Sequence, residues 1–459
     1  MCFFNESKKL LDKLTTVFIF LFLTVGFLQY CSLTFGNIII SVVQWPTVFL
    51  GGVIILYRLI NFKQFLTNKN IWLLIAFAIS FLFSMLMNFK YGIYENFRAF
   101  VFLVFQIGIL FAFDAAESVE KFKNNCFLIS NYYIIAVAIM SIASFVVMIF
   151  GVNILVEGGA DSSVPAYAVG FYWGRLFGIY WDPNIGALMA VTTTILSLGY
   201  AYKFRERVTL KVLYYVNVFI QVCYITFSGS RSARICLVIG ITLLAFLYAI
   251  RFAKKIFNLN KVISVILITI IAFTVSYAAP KAINSVYNSY VSTFSEDRSD
   301  LMVERNDEVV STDISNRRFD IWGSAYELYK TSPIYGVSHF NIVPYAEANV
   351  PETYIVNNNH LKFNTMHNVF VDVLVSQGTL GILIFVSAVL CIAVSIFNNF
   401  KKMLNSEHFD LFAILFTVVV VTVCGSIFMT ELVYVITPLT LMFWYVLGGI
   451  FAIISKTDK

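Results

Sequence analysis

The chain has 459 residues, of which 59% are hydrophobic and only 13% are charged. A soluble domain of this length would carry about twice that charged fraction, so the composition excludes a soluble protein and indicates a polytopic membrane protein. The formal net charge of +6 reflects a basic rim on one side of the membrane and does not indicate nucleic-acid binding.

Twelve apolar segments each have a length near the ~20 residues that span a bilayer as a helix. The first is interpreted as a retained helix, because it is longer than a signal-peptide core and no small-residue cleavage site follows it. The sequence therefore predicts an all-α polytopic membrane protein with about twelve transmembrane helices and a partly helical extracytoplasmic cap loop. The predicted helices lie at 14–32, 37–57, 71–88, 98–114, 127–150, 184–202, 211–228, 231–250, 262–280, 368–397, 409–428 and 432–454.

The distribution of Lys and Arg predicts the orientation of these helices. With a cytoplasmic N-terminus, 20 of the 32 Lys and Arg lie inside, and seven of the other 12 lie in one long loop, which the rule counts weakly. We therefore expect a multi-pass protein with both termini in the cytoplasm.

Two long segments are predicted outside the membrane. Residues 152–183 are rich in glycine and aromatic residues, and residues 281–367 form a larger loop before the tenth helix. Helical spacing within the larger loop predicts helices over 281–294 and 317–330. Between and after them lie an acidic linker (295–313) and an irregular, Asn-rich region (341–366). The chain thus divides into helices one to nine (1–280), the large loop (281–367) and helices ten to twelve (368–459).

A polar corner at Phe227–Arg234 separates two apolar segments. Arg231 and Arg234 are three residues apart, so they share one helix face. An arginine at the bilayer centre is unfavourable by roughly 2.5–3.5 kcal/mol on insertion scales, and by less near the surface. A chain that keeps two arginines here is expected to neutralise an anion with them, and the further residues suggest a lipid-linked phosphate.

Beside this corner in the predicted topology lies the end of the loop 152–183. Arg175 is the only basic residue in that loop, which favours a ligand-binding role. Asp182 and Asn184 flank Pro183 at the start of the sixth helix. Pro183 suits a first helical position with Asp182 as the cap, so a structural role competes with a functional one for both neighbours.

The large loop contributes a pair of arginines at its second predicted helix. Arg317 is interpreted as a solvated residue, whereas Arg318 is a candidate for the functional site. Arg318 lies four residues before Trp322, so packing of its aliphatic stem over that ring is the competing structural explanation.

The start of the tenth helix holds His367, Asn368 and Asp372. Asp372 lies one turn below Asn368, and a carboxylate at that depth needs a partner. It is either part of the chemistry or paired with an outer arginine. His367 is the histidine with a functional setting, and the other three, at 339, 360 and 408, are interpreted as structural.

Three further charged features have simple explanations. Arg98 is expected to reach lipid headgroups or to support the site, Glu431 to be solvated in the last outer turn, and the acidic run 296–300 to be a hydrated loop. No metal-binding spacing, Asp-x-Asp, GxxxxGK, GxSxG or HExxH motif is present. The motifs of metal-dependent and nucleotide-hydrolysing enzymes are thus missing, and we expect no cofactor.

Four segments, each a weak signal alone, together resemble the motifs of the O-antigen ligase/polymerase superfamily, in the expected order. They are Arg175 with Gly178 and Asp182–Asn184 (R..G....PN), Ser228–Ser232 ((S/T)GSRS), Arg318 with Trp322, Pro333 and Gly336 (R...W...(N/S)P..G), and His367–Asn368 with Gly378 and Gly381 (HN.........G..G). This sequence departs from the family's motifs at two positions. It has Ser338 where the family often has glycine, and Gln377 where ligases often have an acidic residue.

The resemblance implies a GT-C-like, metal-independent glycosyltransferase that uses an undecaprenyl-diphosphate-linked glycan at the outer face of the bacterial inner membrane. Fixed arginines stabilise the charge of a diphosphate leaving group without a metal, and a base accepts the proton of the acceptor hydroxyl. The candidates for the diphosphate clamp are Arg231, Arg234, Arg175 and Arg318. His367 is the first candidate base, with Asp372 or Asp182 behind it, and Ser230, Asn184, Asn368 and Arg98 are supporting residues.

Three functions remain open on the sequence. A polysaccharide polymerase is favoured, in part by Gln377; a ligase or protein-glycosylating transferase is the first alternative, and a lipid-linked oligosaccharide flippase is the second. A flippase is expected to show two similar halves and polar residues at the membrane midplane. Expected partners are the lipid-linked oligosaccharide, the bilayer, a chain-length regulator and a flippase.

Overall fold

The computed structural model describes residues 2–34, 36–65, 69–114, 117–156, 167–256, 260–294, 302–303, 317–358 and 362–457. It confirms an all-α polytopic membrane protein. In chain order its helices are α1 (Cys2–Tyr30), α2 (Ile38–Ile60), α3 (Phe62–Phe65), α4 (Ile71–Met87), α5 (Tyr94–Phe105) with a π-helical continuation (Gln106–Phe111), α6 (Val119–Ile149), α7 (Pro183–Lys203), α8 (Val208–Phe227), α9 (Arg231–Ile256), α10 (Lys261–Phe294), α11 (Arg318–Thr331), α12 (Ile342–Asn349), α13 (Val369–Asn405), α14 (Phe409–Ser426) and α15 (Pro438–Thr457).

The predicted membrane helices each have a counterpart in the described ranges. Eleven are long and apolar enough to cross a membrane, and α4 is a shorter apolar helix of 17 residues. The spans of α7 and α15 are 89% and 94% buried, so these two helices form the centre of the bundle. The last helix begins at Pro438 and not at 432, because proline favours the first helical turn.

The segments that were predicted to be outside contact one another at one end of the bundle, which we call the cap end. The backbone of Cys31 bridges to Tyr180, and the Asn88 side chain donates a hydrogen bond to the Gly336 carbonyl. At the opposite end, Lys121 pairs with Asp12. This arrangement agrees with the prediction that successive loops lie at opposite ends of the bundle. Which of the two ends faces the cytoplasm stays a prediction.

A small antiparallel sheet at the cap end was not predicted. Its strands pair in the order β1-β2-β3. Trp173 and Gly174, with φ of 51° and 66°, form a tight turn between the second and third strands, as hairpins with two positive-φ central residues do. The strands are β1 (Ile154–Val156), β2 (Tyr167–Tyr172) and β3 (Arg175–Gly178).

The large loop is anchored where α13 breaks. Gly378 has φ 62° and ψ −160° inside this helix, a conformation that is essentially restricted to glycine. A Cβ on Gly378 would lie 2.5 Å from the Ile334 backbone, and one on Gly336 would lie 2.5 Å from the Gln377 nitrogen. Four backbone hydrogen bonds join the two segments, from Val337 to Val375, Ser338 to Ser376, Thr379 to Pro333 and Leu380 to Ile334.

Asparagine side chains extend this anchor to α4 and α5. The Asn96 amide accepts hydrogen bonds from the Ser338 hydroxyl (2.7 Å) and donates to Asn341 (2.9 Å). Asn341 in turn donates to the Asn88 carbonyl at 3.0 Å. We call the segment 332–341, together with its partners on α4, α5 and α13, the docking seam. Its hydrogen bonds hold the cap rigidly against the membrane helices.

The large loop is more ordered than predicted. Helices over 281–294 and 317–330 are confirmed as the end of α10 and as α11. The region 341–366 was predicted to be irregular, but it begins with α12, whose residues Ile342 and Ala346 are buried under the cap. The acidic linker 295–313 lies outside the described residues except for 302–303, and the run 296–300 and His360 lie outside them entirely.

Candidate functional site

Arg175 lies where two of the motifs meet. Its Nε donates to the Ser228 carbonyl and its Nη2 donates to the Asn184 side-chain oxygen, both at 2.7 Å. Gly229 has φ 66°, and a Cβ there would lie 3.0 Å from Arg175 Cγ. Gly178 ends the strand against Ser144, where a Cβ would lie 2.0 Å away. The glycines are therefore needed because they let the hairpin bring Arg175 against the corner.

The two arginines of the corner have different environments. Ser230 is buried, and its hydroxyl accepts a hydrogen bond from the Ala233 amide (3.4 Å) at the start of α9. Arg231 is exposed at the first residue of that helix. Arg234 turns back and donates from Nη2 to the Thr226 carbonyl at 3.0 Å. Arg234 thus holds the corner together, and Arg231 is better placed to meet a ligand.

Asp182 and Asn184 join this corner to the next group. Asp182 is the N-cap of α7, accepting the Asn184 amide at 2.7 Å, and Pro183 occupies the first turn. The capping prediction is confirmed. Since the Asn184 side chain also accepts from Arg175, one hydrogen-bonded path runs from the corner to the Asp182 carboxylate. Both residues are half-buried.

His367 lies immediately before α13 in a left-handed conformation with φ 51°. Met366, the preceding residue, is fixed by two backbone hydrogen bonds. Its amide donates to Asp372, and its carbonyl accepts from Trp322 Nε1, both at 2.9 Å. A non-glycine residue with positive φ persists only where its surroundings impose it. The Phe363 ring lies 6.2 Å from the imidazole in an edge-to-face arrangement.

Asp372 is fully buried below His367. Besides the Met366 amide, it accepts the hydroxyl of Thr430, so the expected pairing with an outer arginine is not what holds it in the described structure. Asn368 caps α13 by accepting the Phe370 amide at 2.9 Å. These contacts favour a role for Asp372 and Asn368 in fixing the segment that presents His367.

Arg318 begins α11 and reaches the turn between α14 and α15. Its Nη2 donates to the Phe428 carbonyl at 3.1 Å, and the guanidinium carbon lies 5.5 Å from the centre of the Phe428 ring. Arg317 has φ 62° and donates to the Tyr354 hydroxyl at 3.3 Å within the cap. The structure therefore separates the two neighbours, with Arg318 directed toward the bundle.

The charges of Asp182 and Arg318 both affect His367. Burial lowers the pKa of His367 below its usual value, the Asp182 carboxylate opposes this effect, and Arg318 adds to it. The net result is an imidazole that stays neutral at neutral pH. A neutral imidazole can accept a proton from a hydroxyl group.

The turn 427–437 between α14 and α15 is the part of the site that the sequence interpretation missed. It supplies the Phe428 carbonyl to Arg318 and the Thr430 hydroxyl to Asp372. Glu431 was expected to be solvated, but it is 1% exposed. Burial first, and Asp182 in addition, raise the pKa of Glu431 to about 8. The signal in the sequence was an acid flanked by Thr430 and Thr437 between two apolar segments.

Other predicted residues lie in structural settings. Arg98 forms an ion pair with Glu95 at 2.6 Å, one turn away on α5. Gln377 is buried and contacts Ser80 and the Tyr434 hydroxyl. Within the described ranges, no group of three or more His, Cys, Asp or Glu is arranged to hold a metal ion.

The comparison with known proteins gives a match over a segment that contains several of these motifs. Residues 216–386 match the family described as O-antigen ligase. This match supports, for that segment of the chain, the resemblance to the O-antigen ligase/polymerase superfamily that the motifs carry. The matched segment includes the corner, Arg318 and His367, while Arg175 and Asp182 precede it and Glu431 follows it. The match does not separate polymerases from ligases.

A curated relative is an uncharacterized protein from Haemophilus influenzae, 26% identical over 230 residues. The similarity covers 50% of this chain and 52% of the relative, so the chain spans about half the length of the relative it matches.

Proposed function

We propose that this protein is a polysaccharide polymerase. It transfers an undecaprenyl-diphosphate-linked glycan to the non-reducing end of a lipid-linked repeat unit, at the outer face of the bacterial inner membrane and without a metal ion. In this proposal the cap end faces outward and both termini are cytoplasmic.

The arginines supply charge stabilisation for the donor. Arg175 and Arg318 each donate hydrogen bonds to carbonyl or side-chain amide oxygens of the protein. These bonds fix the plane of each guanidinium group before a ligand binds. Arg231, which is exposed at the first residue of α9 in the polar corner, adds a third positive charge. Preorganised cations stabilise the charge that develops on a diphosphate as its bond to the sugar breaks.

His367 acts on the acceptor. The acceptor O–H bond breaks as its proton moves to the neutral imidazole, and the oxygen attacks the anomeric carbon. The bond from that carbon to the diphosphate oxygen breaks, and its electron pair leaves with the undecaprenyl diphosphate. The imidazolium is stabilised by Asp182 and then releases its proton to water. One displacement of this kind inverts the anomeric centre.

An apolar cavity of about 710 Å³ supports the choice of a polyprenyl carrier. It lies between α4, α13, α14 and α15 and begins at Phe370 and Leu432, next to the site residues Asn368 and Glu431. It continues along α13 to Phe400. The observation that carries the proposal is this junction of an arginine and histidine site with a long apolar cavity, since the donor combines a diphosphate with an isoprenoid tail.

A ligase is the second candidate, and the description of the matched family favours it. Gln377 had tilted the interpretation toward a polymerase, but this residue is buried against Ser80 and Tyr434 and does not discriminate acceptors by contact. A flippase is less favoured, because the ionisable candidate residues gather at the cap end of the bundle.

The test is deletion in the native host followed by sizing of the glycans. A polymerase deletion leaves single repeats on the final acceptor, whereas a ligase deletion leaves long polymer on the polyprenyl carrier. The purified protein in vesicles should convert lipid-linked repeats into a ladder of products that survives a chelator. Arg231→Ala should abolish the ladder while the protein still inserts, and a retained ladder would remove Arg231 from the mechanism.

A larger side chain in the cavity tests whether the isoprenoid tail of the donor binds there. Val419 lines it and is 8% exposed, so Val419→Trp should raise the KM for the undecaprenyl donor about tenfold. The KM for a donor with a short isoprenoid tail serves as the control and should change little. An equal change for both donors would show that the tail does not occupy this cavity.

A further inference from the structure

Glu431 is a buried carboxyl group without a cation beside it in the described structure. Its Oε2 accepts hydrogen bonds from the hydroxyls of Thr437 (2.6 Å) and Thr440 (3.4 Å). The Thr440 hydroxyl also reaches the Glu431 carbonyl. A buried carboxyl group without a cation is more stable in its protonated form, because an uncompensated charge there would lose its hydration.

The groups that face Glu431 come from three other elements. Tyr30 on α1 and Tyr133 on α6 lie within its electrostatic range, and Asp182 faces it from the start of α7. Two carboxyl groups at close range in a buried site do not both ionise readily. Glu431 is the fully buried member of the pair, whereas Asp182 is half-exposed and accepts the Asn184 amide.

We infer that Glu431 is a positioning residue that works in its protonated form, and that its neutrality keeps a second negative charge away from the Asp182 side chain and from the site that holds His367. This inference rests on the proposed transfer reaction. If Glu431 ionised, a second negative charge would lie beside Asp182 and close to the arginines that meet the diphosphate. The donor would then bind more weakly, while the geometry of the site would be unchanged.

The experiment is the pH dependence of the KM for the lipid-linked donor, measured with the purified protein in vesicles between pH 6.5 and 9.5. The wild-type KM should rise about tenfold above pH 8, since one added charge acts over roughly 10 Å in a site of intermediate dielectric constant. Glu431→Gln keeps the neutral shape, so its KM at pH 7 should match the wild type within about threefold, without the alkaline rise.

A second variant tests the inference without a change at Glu431, so that the test does not depend on the folding of Glu431→Gln. The Thr437 hydroxyl stabilises the ionised form of Glu431, so Thr437→Val should move the alkaline rise to higher pH. Glu347→Gln serves as the control, because Glu347 lies on the surface of α12 and pairs with Lys362. Its pH profile should equal that of the wild type.

The outcomes separate the inference from the function on which it rests. If the wild type transfers no glycan from any lipid-linked donor, the proposed function fails. If the wild type is active but Glu431→Gln is inactive at pH 7, or keeps the alkaline rise, the inference is overturned. An unshifted profile in Thr437→Val overturns it as well.

Discussion

The cap end holds two regions rich in polar side chains, and each contains a histidine. His339 lies in the docking seam, is 2% exposed, and stacks on Tyr434 with ring centres 4.6 Å apart. Burial lowers its pKa to about 3. His367 lies in the candidate site, is partly exposed, and is coupled to Asp182 and Arg318. A histidine beside charged groups at an accessible surface can exchange protons, whereas one enclosed by rings and amides serves packing.

The sharpest test of this difference is a matched pair of variants. His367→Gln should lower kcat by about 10²–10⁴-fold, the usual contribution of a general base, and leave the KM for the donor nearly unchanged. His339→Gln should leave kcat of the folded protein within about threefold of the wild type and lower the thermal midpoint instead. Both parameters come from steady-state kinetics and a melting curve of each purified variant.

Two results would contradict the comparison. A collapse of kcat in His339→Gln at full folding would place the chemistry in the docking seam. A loss of donor binding in His367→Gln, seen as a raised KM at unchanged kcat, would make His367 a ligand of the donor and not the base.

The sequence predicted the membrane helices well because each of them carries its own signal, namely a long apolar run. It also predicted the cap of α7, because Asp182 and Pro183 act on their immediate neighbours. It did not predict the hairpin that carries Arg175, because the two-residue turn Trp173-Gly174 is not one of the dipeptides, such as Asn-Gly, that mark a hairpin in a sequence. A different limit applies to residues whose partners are distant in the chain.

Glu431 illustrates that limit. Its carboxyl group contacts Thr437 and Thr440 at the start of α15 and is affected by the charge of Asp182, and these groups meet only in the folded bundle. The sequence shows only a charged residue in a short turn, which predicts exposure to solvent.

The motif glycines Gly336 and Gly378 belong to the docking seam, and this assignment is testable. Gly378→Ala would put a Cβ 2.5 Å from the Ile334 backbone at a φ of 62°, so the variant should lose about 1–3 kcal/mol of stability. The control is Gly323→Ala on α11, where no atom lies within 4 Å of the added Cβ and helix propensity predicts a small gain. Thermal midpoints of the two purified variants check both statements.

If Gly378→Ala melts like the wild type but loses activity, the break in α13 serves the site directly and the division between the two regions is wrong. If it melts lower and its remaining folded fraction keeps the wild-type kcat, the glycine acts only by seating the cap.

The smallest expected effect concerns stability as a function of pH, where Glu431 and the two histidines differ in sign. Glu431 has a folded pKa of about 8 against an ordinary value of 4.5, so the folded state holds a proton that the unfolded chain has lost between these values. Its contribution is complete at low pH and is lost as pH rises toward 8. The histidines act oppositely, because their lowered pKa values make the folded state lose stability only below pH 6.5.

The interval from pH 6.5 to 8.5 therefore isolates Glu431 from both histidines. The thermal midpoint of the wild type should fall by a few degrees across this interval, and Glu431→Gln should fall less, since it has no proton to lose. Groups that titrate alike in the wild type and in Glu431→Gln contribute equally to both melting series, so their contribution cancels in the difference. Parallel curves would mean that Glu431 is ionised throughout, and the turn 427–437 would then need a cation that the described site does not offer to it.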